Sequence, residues 1–222
     1  MEAITPYWII LDKIDGQAVL NKIELVARTC YKSEDKIKEG SAAKLVAALI
    51  KSNHEAMLEH FSFSVKFICD RGISHEIVRH RLASYAQESQ RYCNYGNNDG
   101  GITFILPFYL KYRTPEFDAW KASCKAAEES YMKMIDLGMK PQEARAVLPN
   151  CTKTEIVMTA NLREWRNFFK LRAADATGAA HPQMKQLTQP LLTELKSIIP
   201  VVFDDITYPG EKVVNKDEQE ES

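Results

Sequence analysis

Residues Phe61 to Cys69 fix one element in advance. Phe61, Phe63, Val65, Phe67 and Cys69 fall on one side of an extended chain, and Ser62, Ser64, Lys66 and Ile68 on the other. A period of two is the mark of a half-buried β-strand. A strand with one apolar face needs neighbouring strands and a covering layer, so the chain must build a sheet with helices packed on it.

The helices are legible around that strand. Gln17–Tyr31 places Val19, Leu20, Ile23, Val26, Ala27 and Cys30 at helical spacing. Ser41 is read as the cap of a second helix running to about Asn53, with Leu45, Val46, Leu49 and Ile50 on one face. Glu116–Leu137 reads as a long helix stopped at Gly138, and Pro141 opens a short helix that ends before Pro149. Leu162–Ala174 is amphipathic, and Pro182–Ile199 is a last helix, interrupted or restarted at Pro190. Tyr7–Asp12 and Thr152–Asn161 have strand character, and Thr103–Leu106 is a short apolar piece closed by Pro107. Arg71-Gly72 is expected to turn the alternating strand, with Ser74 capping a helix through about Arg81. The polar stretch Ser84–Gly101 reads as loop, richest in Gly and Asn from Tyr95 onward. No internal repeat and no linker divides the sequence. The expectation is one α+β domain over residues 1–210, with a mostly antiparallel sheet flanked by helices. Residues 211–222, with five acids and two lysines, are expected to form a loose acidic tail.

Composition narrows the function classes. At 45% hydrophobic and 27% charged residues the chain is not disordered. Lys+Arg 29 against Asp+Glu 30 leaves net charge −1, which gives no global basic field for duplex DNA or a membrane surface. No apolar run reaches the roughly 18 residues that a membrane-spanning helix needs. The first residues lack a basic region and a small-residue cleavage site, and read as a strand. The five cysteines are dispersed without a CxxC, which disfavours a disulfide scaffold or zinc ribbon and suggests the cytoplasm.

The densest chemistry lies in Arg79–Tyr92. Arg79, His80, Arg81, Ser84, Tyr85, Gln87, Ser89, Gln90 and Arg91 crowd into it. Guanidinium forks match phosphate and carboxylate, so the cluster suits an anionic, ring-bearing ligand such as a nucleotide. The plainer alternative is a solvated basic helix end paired with Glu76 and Glu88. His54-Glu55…His60 and His75-Glu76…His80 each begin like a zinc-protease motif. However, a spacing of five turns the second His about 140° away around a helix, so neither pair grips one metal from a regular helix. No GxGxxG or GxxxxGK[ST] occurs, so a dinucleotide here has to be held by side-chain cations. Asn161 at a helix start is either an ordinary cap or part of a phosphate site.

Arg-His-Arg followed after seven residues by Ser (Arg79–Arg81, Ser89) resembles the signature of the flavin-dependent thymidylate synthases. Three further segments resemble that family in order: Ser52–His60, ending Leu-Glu-His before a Phe-rich strand; Glu143–Pro149; and Asn161–Arg172. The resemblance implies conversion of dUMP to dTMP, with methylenetetrahydrofolate giving the carbon, FAD carrying hydride and NADPH recharging it. It implies a homotetramer with sites between subunits. It assigns Arg79, His80, Arg81, His54, Asn161, Arg163 and Asn167 to FAD. It assigns Glu76, Gln87, Ser89, Arg91, Arg145 and Arg172 to the nucleotide, with Arg172 also catalytic, facing the uracil ring.

The chain departs from the family pattern at Ala56, where a hydroxyl is common, at Ala86-Gln87 and Glu76, and through Ala173–Met184. Ser89 is read either as a nucleophile, which needs an adjacent base, or as a ligand-binding hydroxyl. Two other functions compete: a nucleotide- or RNA-binding module that stacks bases on Tyr85, Tyr92 and Tyr95, and a flavin-binding relative that no longer turns over.

Overall fold

The computed structural model describes residues 1–97 and 101–211. The elements run in the order β1 (Glu2–Ile4), β2 (Tyr7–Ile10), α1 (Gly16–Thr29), α2 (Ser41–Lys51), a 3-10 turn (Glu55–His60), β3 (Ser62–Asp70), α3 (Arg71–Ile77), β4 (Ala83–Gln87), β5 (Thr103–Ile105), α4 (Pro115–Asp136), α5 (Pro141–Ala144), a 3-10 turn (Arg145–Val147), β6 (Lys153–Asn161), α6 (Leu162–Arg172) and α7 (Pro182–Ile198). The main sheet has the order β2-β3-β6-β4, antiparallel throughout, and β1 pairs in parallel with β5 in a separate two-stranded sheet. This is the α+β single domain expected from the sequence.

β3 and β6 are the centre. They pair over nine residues each, from Ser62 opposite Asn161 to Asp70 opposite Lys153. The buried face carries Phe63, Val65 and Phe67 from β3 and Ile156, Met158 and Ala160 from β6. α6 covers it with Trp165, whose ring stacks on Phe63 at 4.9 Å and whose indole N–H donates to the Phe63 carbonyl at 3.2 Å. Leu187, Leu191, Leu192 and Leu195 of α7 extend the same core. Truncating a side chain such as Trp165 in a core this closed costs about 3–5 kcal/mol. A second, smaller core lies under α4, where Ile102, Phe104, Cys124, Tyr131 and Ala144 meet.

Several local expectations are corrected. The cap of α3 is Asp70, whose side chain accepts from Ile73 N at 2.7 Å, and not Ser74. That helix stops at Ile77 and not near Arg81, because the chain turns through Val78–His80 to enter β4. The stretch read as loop from Ser84 therefore begins as an edge strand on β6. Ser41 is the first residue of α2 and follows Gly40, which sits at φ 71°. The Ser41 hydroxyl turns inward to buried Glu24 at 2.8 Å. α7 runs unbroken through Pro190, an exposed position where the carbonyl that loses its N–H partner can turn to water. Of the acidic stretch, Glu211 pairs with Lys196 at 2.5 Å. Residues 212–222, like 98–100 of the Gly- and Asn-rich loop, lie outside the described residues.

Candidate functional site

The register of β3 on β6 frames the site. The Glu55–His60 turn enters β3 where α6 leaves β6, so two segments a hundred residues apart come together at one end of the sheet. Arg166 of α6, fully buried, meets Glu55 through Nε at 3.1 Å and Nη2 at 3.0 Å, and meets Asp205 at 2.6 and 2.7 Å. Arg163, on the exposed side, pairs with Glu59 at 2.6 Å.

His80 sits at the heart of the site. The turn after α3 drives it against α6, and Tyr85 of β4 pins that turn, its hydroxyl lying 2.6 Å from the His80 carbonyl and 2.9 Å from that of Ile77. Only 4% of His80 remains exposed. Its Nδ1 lies 3.2 Å from Glu164 Oε1, and its Nε2 accepts from Arg172 Nε at 3.1 Å. A ring nitrogen that accepts carries no proton, so the imidazole is the neutral Nδ1–H tautomer donating to Glu164. Burial, and then the Arg172 charge, hold His80 down to about 4. Burial pushes Glu164 upward, against the Asn167 amide that bonds it. Arg172 is fixed at its far end by Glu76, 3.0 Å from Nη1. The outcome is one chain of contacts, Glu76–Arg172–His80–Glu164–Asn167.

A cleft of about 320 Å³ opens on this chain, lined by Arg79, His80, Arg81, Leu82, Asn167 and Arg172 among others. It shares Leu82, Glu164 and Asn167 with a neighbouring cleft of about 520 Å³ that reaches Asn161, Arg163 and Lys170. That cleft in turn shares Glu55 and Arg163 with a third, of about 690 Å³, which includes His54, Ala56 and Met57. Together they form one furrow along the end of the sheet. Asn161 caps α6, accepting from Glu164 N at 2.9 Å. Arg79 and Arg81 are exposed at its rim, and neither pairs with a carboxylate among the described residues.

The furrow thus gathers Arg79, His80, Arg81, His54, Asn161, Arg163, Asn167 and Arg172, with Glu76 behind Arg172. It does not gather the rest. Gln87 ends β4, where its amide donates to Ser74 Oγ at 2.9 Å and Thr154 Oγ1 at 3.3 Å. Ser89 Oγ accepts from Arg91 N at 3.2 Å, and no base among the described residues bonds to it. Arg91 lies over the Tyr92 ring at 5.4 Å. Arg145, in its 3-10 turn, is exposed. Ser89, Arg91 and Arg145 line none of the three clefts. Among the described residues no helix is long and apolar enough to cross a membrane, and no group of three or more His, Cys, Asp or Glu is placed to hold a metal.

Sequence reasoning missed Glu164, and read Tyr85 as a base-stacking platform and not as the anchor of the His80 turn. Glu164 stands one helical turn before Phe168, on the face of α6 that buries Trp165 and Phe168, and an acid on an apolar face is the signal that marks it. Tyr85 is hidden in a polar strand with few apolar neighbours in sequence.

The fold and furrow define an α+β protein with a long cleft, rimmed by Arg79 and Arg81, beside a buried, neutral imidazole. The family model described as thymidylate synthase complementing protein matches residues 14–201. The flavin-dependent thymidylate synthase of Geobacter sulfurreducens is 32% identical over 191 residues, covering 82% of this chain and 80% of that protein. That of Pyrococcus furiosus is 33% identical over 165 residues, covering 73% of this chain and 66% of its own length. The chain belongs to the flavin-dependent thymidylate synthase family. The fold also matches that of the UMP/dUMP methylase PolB from Streptomyces cacaoi bound with 5-Br dUMP, with TM-score 0.75 and 24% identity over 91% of this chain and 95% of that one.

Proposed function

We propose that this chain converts dUMP to dTMP by reductive methylation. Methylenetetrahydrofolate gives the carbon, FAD carries the hydride and NADPH restores it. The relatives are named for a flavin-dependent synthase, and the fold neighbour is a methylase of pyrimidine nucleotides. The observation that carries the reading is the pair of guanidinium groups, Arg79 and Arg81, that pair with no carboxylate among the described residues, on either side of a His80 fixed from both ring nitrogens.

The donor set fits a flavin dinucleotide. Such a group brings a pyrophosphate, which needs cations, and a flat ring edged with hydrogen-bonding atoms. Arg79 and Arg81 offer the cations. Asn161, Arg163, Asn167 and His54 offer polar edges along the furrow, and Leu82 and Met57 apolar surface; His80, with both ring nitrogens engaged, serves the flavin by fixing the floor of the cleft between Arg79 and Arg81. When bound, the flavin supplies the hydride that reduces a methylene to a methyl group.

Ser89, Arg91 and Arg145 hold the nucleotide, the arginines at its phosphate, and Glu76 and Gln87 contribute on the pyrimidine side. Arg172 faces the uracil ring. Glu76 and His80 fix the guanidinium beforehand, so it stabilises negative charge at the N3 edge without reorganising, which polarises C5–C6 for attack. Ser89 acts as a binding hydroxyl and not as a nucleophile. Because the phosphate residues lie outside the furrow that holds Arg172, each site draws on more than one subunit of a homotetramer. Residues 1–210 carry the activity, in the cytoplasm.

The test is tritium release from dUMP labelled at C5, with FAD, NADPH and methylenetetrahydrofolate each omitted in turn and labelled UMP run alongside. Release from dUMP that requires all three establishes the reading. A folded, yellow protein that releases nothing would be a flavin binder without turnover. Release from UMP alone would move the substrate to the ribonucleotide.

A further inference from the structure

The small core under α4 holds a feature that this function does not use. Cys124 of α4 and Cys151, two residues before β6, place their sulfurs 3.6 Å apart. Both are free thiols. The sulfurs are in van der Waals contact, so closing to a bond length of about 2.05 Å needs a movement of only about 1.5 Å. The two sites differ. Cys124 is buried, at 1% exposure, whereas Cys151 is half-buried. The indole N–H of Trp120 is buried with no hydrogen-bond partner among the described residues. Trp120, Cys124 and Cys151 all pack in this one cluster. A buried donor without an acceptor is rare, and it is satisfied if the neighbouring sulfur becomes an anion.

We propose that Cys124 and Cys151 form a reversible thiol–disulfide pair oxidised by hydroperoxides, with Cys151 as the attacking sulfur and Cys124 as the resolving one. Hydrogen bonding from Cys124 draws Cys151 below the usual thiol range despite its burial. The same hydrogen bond and burial push Cys124 up, so it keeps its proton. The Cys151 thiolate attacks one peroxide oxygen. The O–O bond breaks, hydroxide leaves and is protonated to water, and Cys151 becomes a sulfenic acid. The Cys124 sulfur then attacks the Cys151 sulfur, the S–O bond breaks, and the departing hydroxide takes the Cys124 proton. Two thiols lose two electrons and two protons in total, and one peroxide becomes two waters. The bond ties α4 to the base of β6, where the Cys151 carbonyl already accepts from Ile105 N at 2.8 Å. Thiol reductants reopen it.

The experiment treats the full-length protein with equimolar hydrogen peroxide, then counts thiols after denaturation and maps cross-linked peptides by mass spectrometry. Thiols are expected to fall from five to three, with Cys124 joined to Cys151, and dithiothreitol to restore all five. In Cys124→Ser, Cys151 is expected to stop at a sulfenic acid that dimedone traps, with one thiol lost. Trp120→Phe is expected to slow thiol loss about three- to tenfold while leaving the cross-link the same. The proposal is overturned if all five thiols survive, if Cys151 goes to sulfinic acid without cross-linking, or if Cys30 or Cys93 is consumed first.

Discussion

The Nδ1 atom of His80 lies 3.2 Å from Oε1 of Glu164, while Arg172 donates to Nε2 of the same ring. One contact fixes the tautomer and the other keeps the ring from taking a second proton. The imidazole is therefore held as a neutral, oriented group inside a cleft rimmed by Arg79 and Arg81, and its behaviour toward pH follows.

An unfolded His titrates near 6.5, and folded His80 near 4. Between those values the unfolded chain binds the extra proton, so stability falls as pH is lowered from about 6.5 toward 4, by about 3 kcal/mol in all. Glu164, with its value raised, works the other way: its stabilisation is present at acid pH and is lost as pH rises through that value. Urea titrations of wild type and His80→Asn at several pH values separate the two, because the carboxylate contributions largely cancel in the difference. The wild type is expected to lose more stability across this window, and parallel curves would show that His80 is not buried neutral.

Glu164→Leu leaves the His80 Nδ1–H buried without an acceptor. A loss of about 1–3 kcal/mol is expected by denaturation, together with reduced flavin content. Glu164→Gln keeps an acceptor and is expected to recover most of both, which a purely steric role would not predict.

Arg81→Ala and Arg172→Ala should separate binding from turnover. The first is expected to lower the flavin absorbance of the purified protein. The second is expected to keep the flavin and reduce tritium release by about a hundredfold or more. Equal flavin loss in both would merge the two roles.

Arg166 is a structural charge. It is 1% exposed and bonded to Glu55, Asp205 and the Val202 carbonyl. Arg166→Ala leaves Glu55 with only Lys170, 3.5 Å away, and takes the partner from the Val202 carbonyl, and a loss of about 3–5 kcal/mol is expected by urea denaturation.

The shared sites proposed above predict complementation. Arg145→Ala and Arg172→Ala should each be inactive alone. Unfolded together and refolded as mixed oligomers, they should regain part of the activity, because some sites then contain neither lesion. No recovery from well-formed mixed oligomers would place Arg145 and Arg172 in the same subunit's site.

The sequence was most informative where burial is one-sided. β3, β6, α1 and α6 carry their periods openly, because one face of each meets the core. β4 did not: it is an edge strand of small and polar residues, Ala-Ser-Tyr-Ala-Gln, held by one neighbour, and its ladder with β6 leaves no apolar trace in sequence. The end of α3 was misplaced for a related reason. Nothing in Val78-Arg79-His80 forbids helix, and the turn there is set by the Tyr85 hydroxyl of the following strand and by Glu164, 84 residues away in sequence. The furrow's residues were named from family motifs. The contacts that orient His80 were not, because an acid on an apolar helix face reveals its partner only in three dimensions.

The nine paired residues of β3 and β6 act as a ruler. Substitutions along either strand change packing but not length, so the Glu55–His60 turn and α6 still meet. Removing or adding one residue within either strand would slide Arg163 and Arg166 away from Glu59 and Glu55 and swap which side chains face the core. Length here should be far less forgiving than identity.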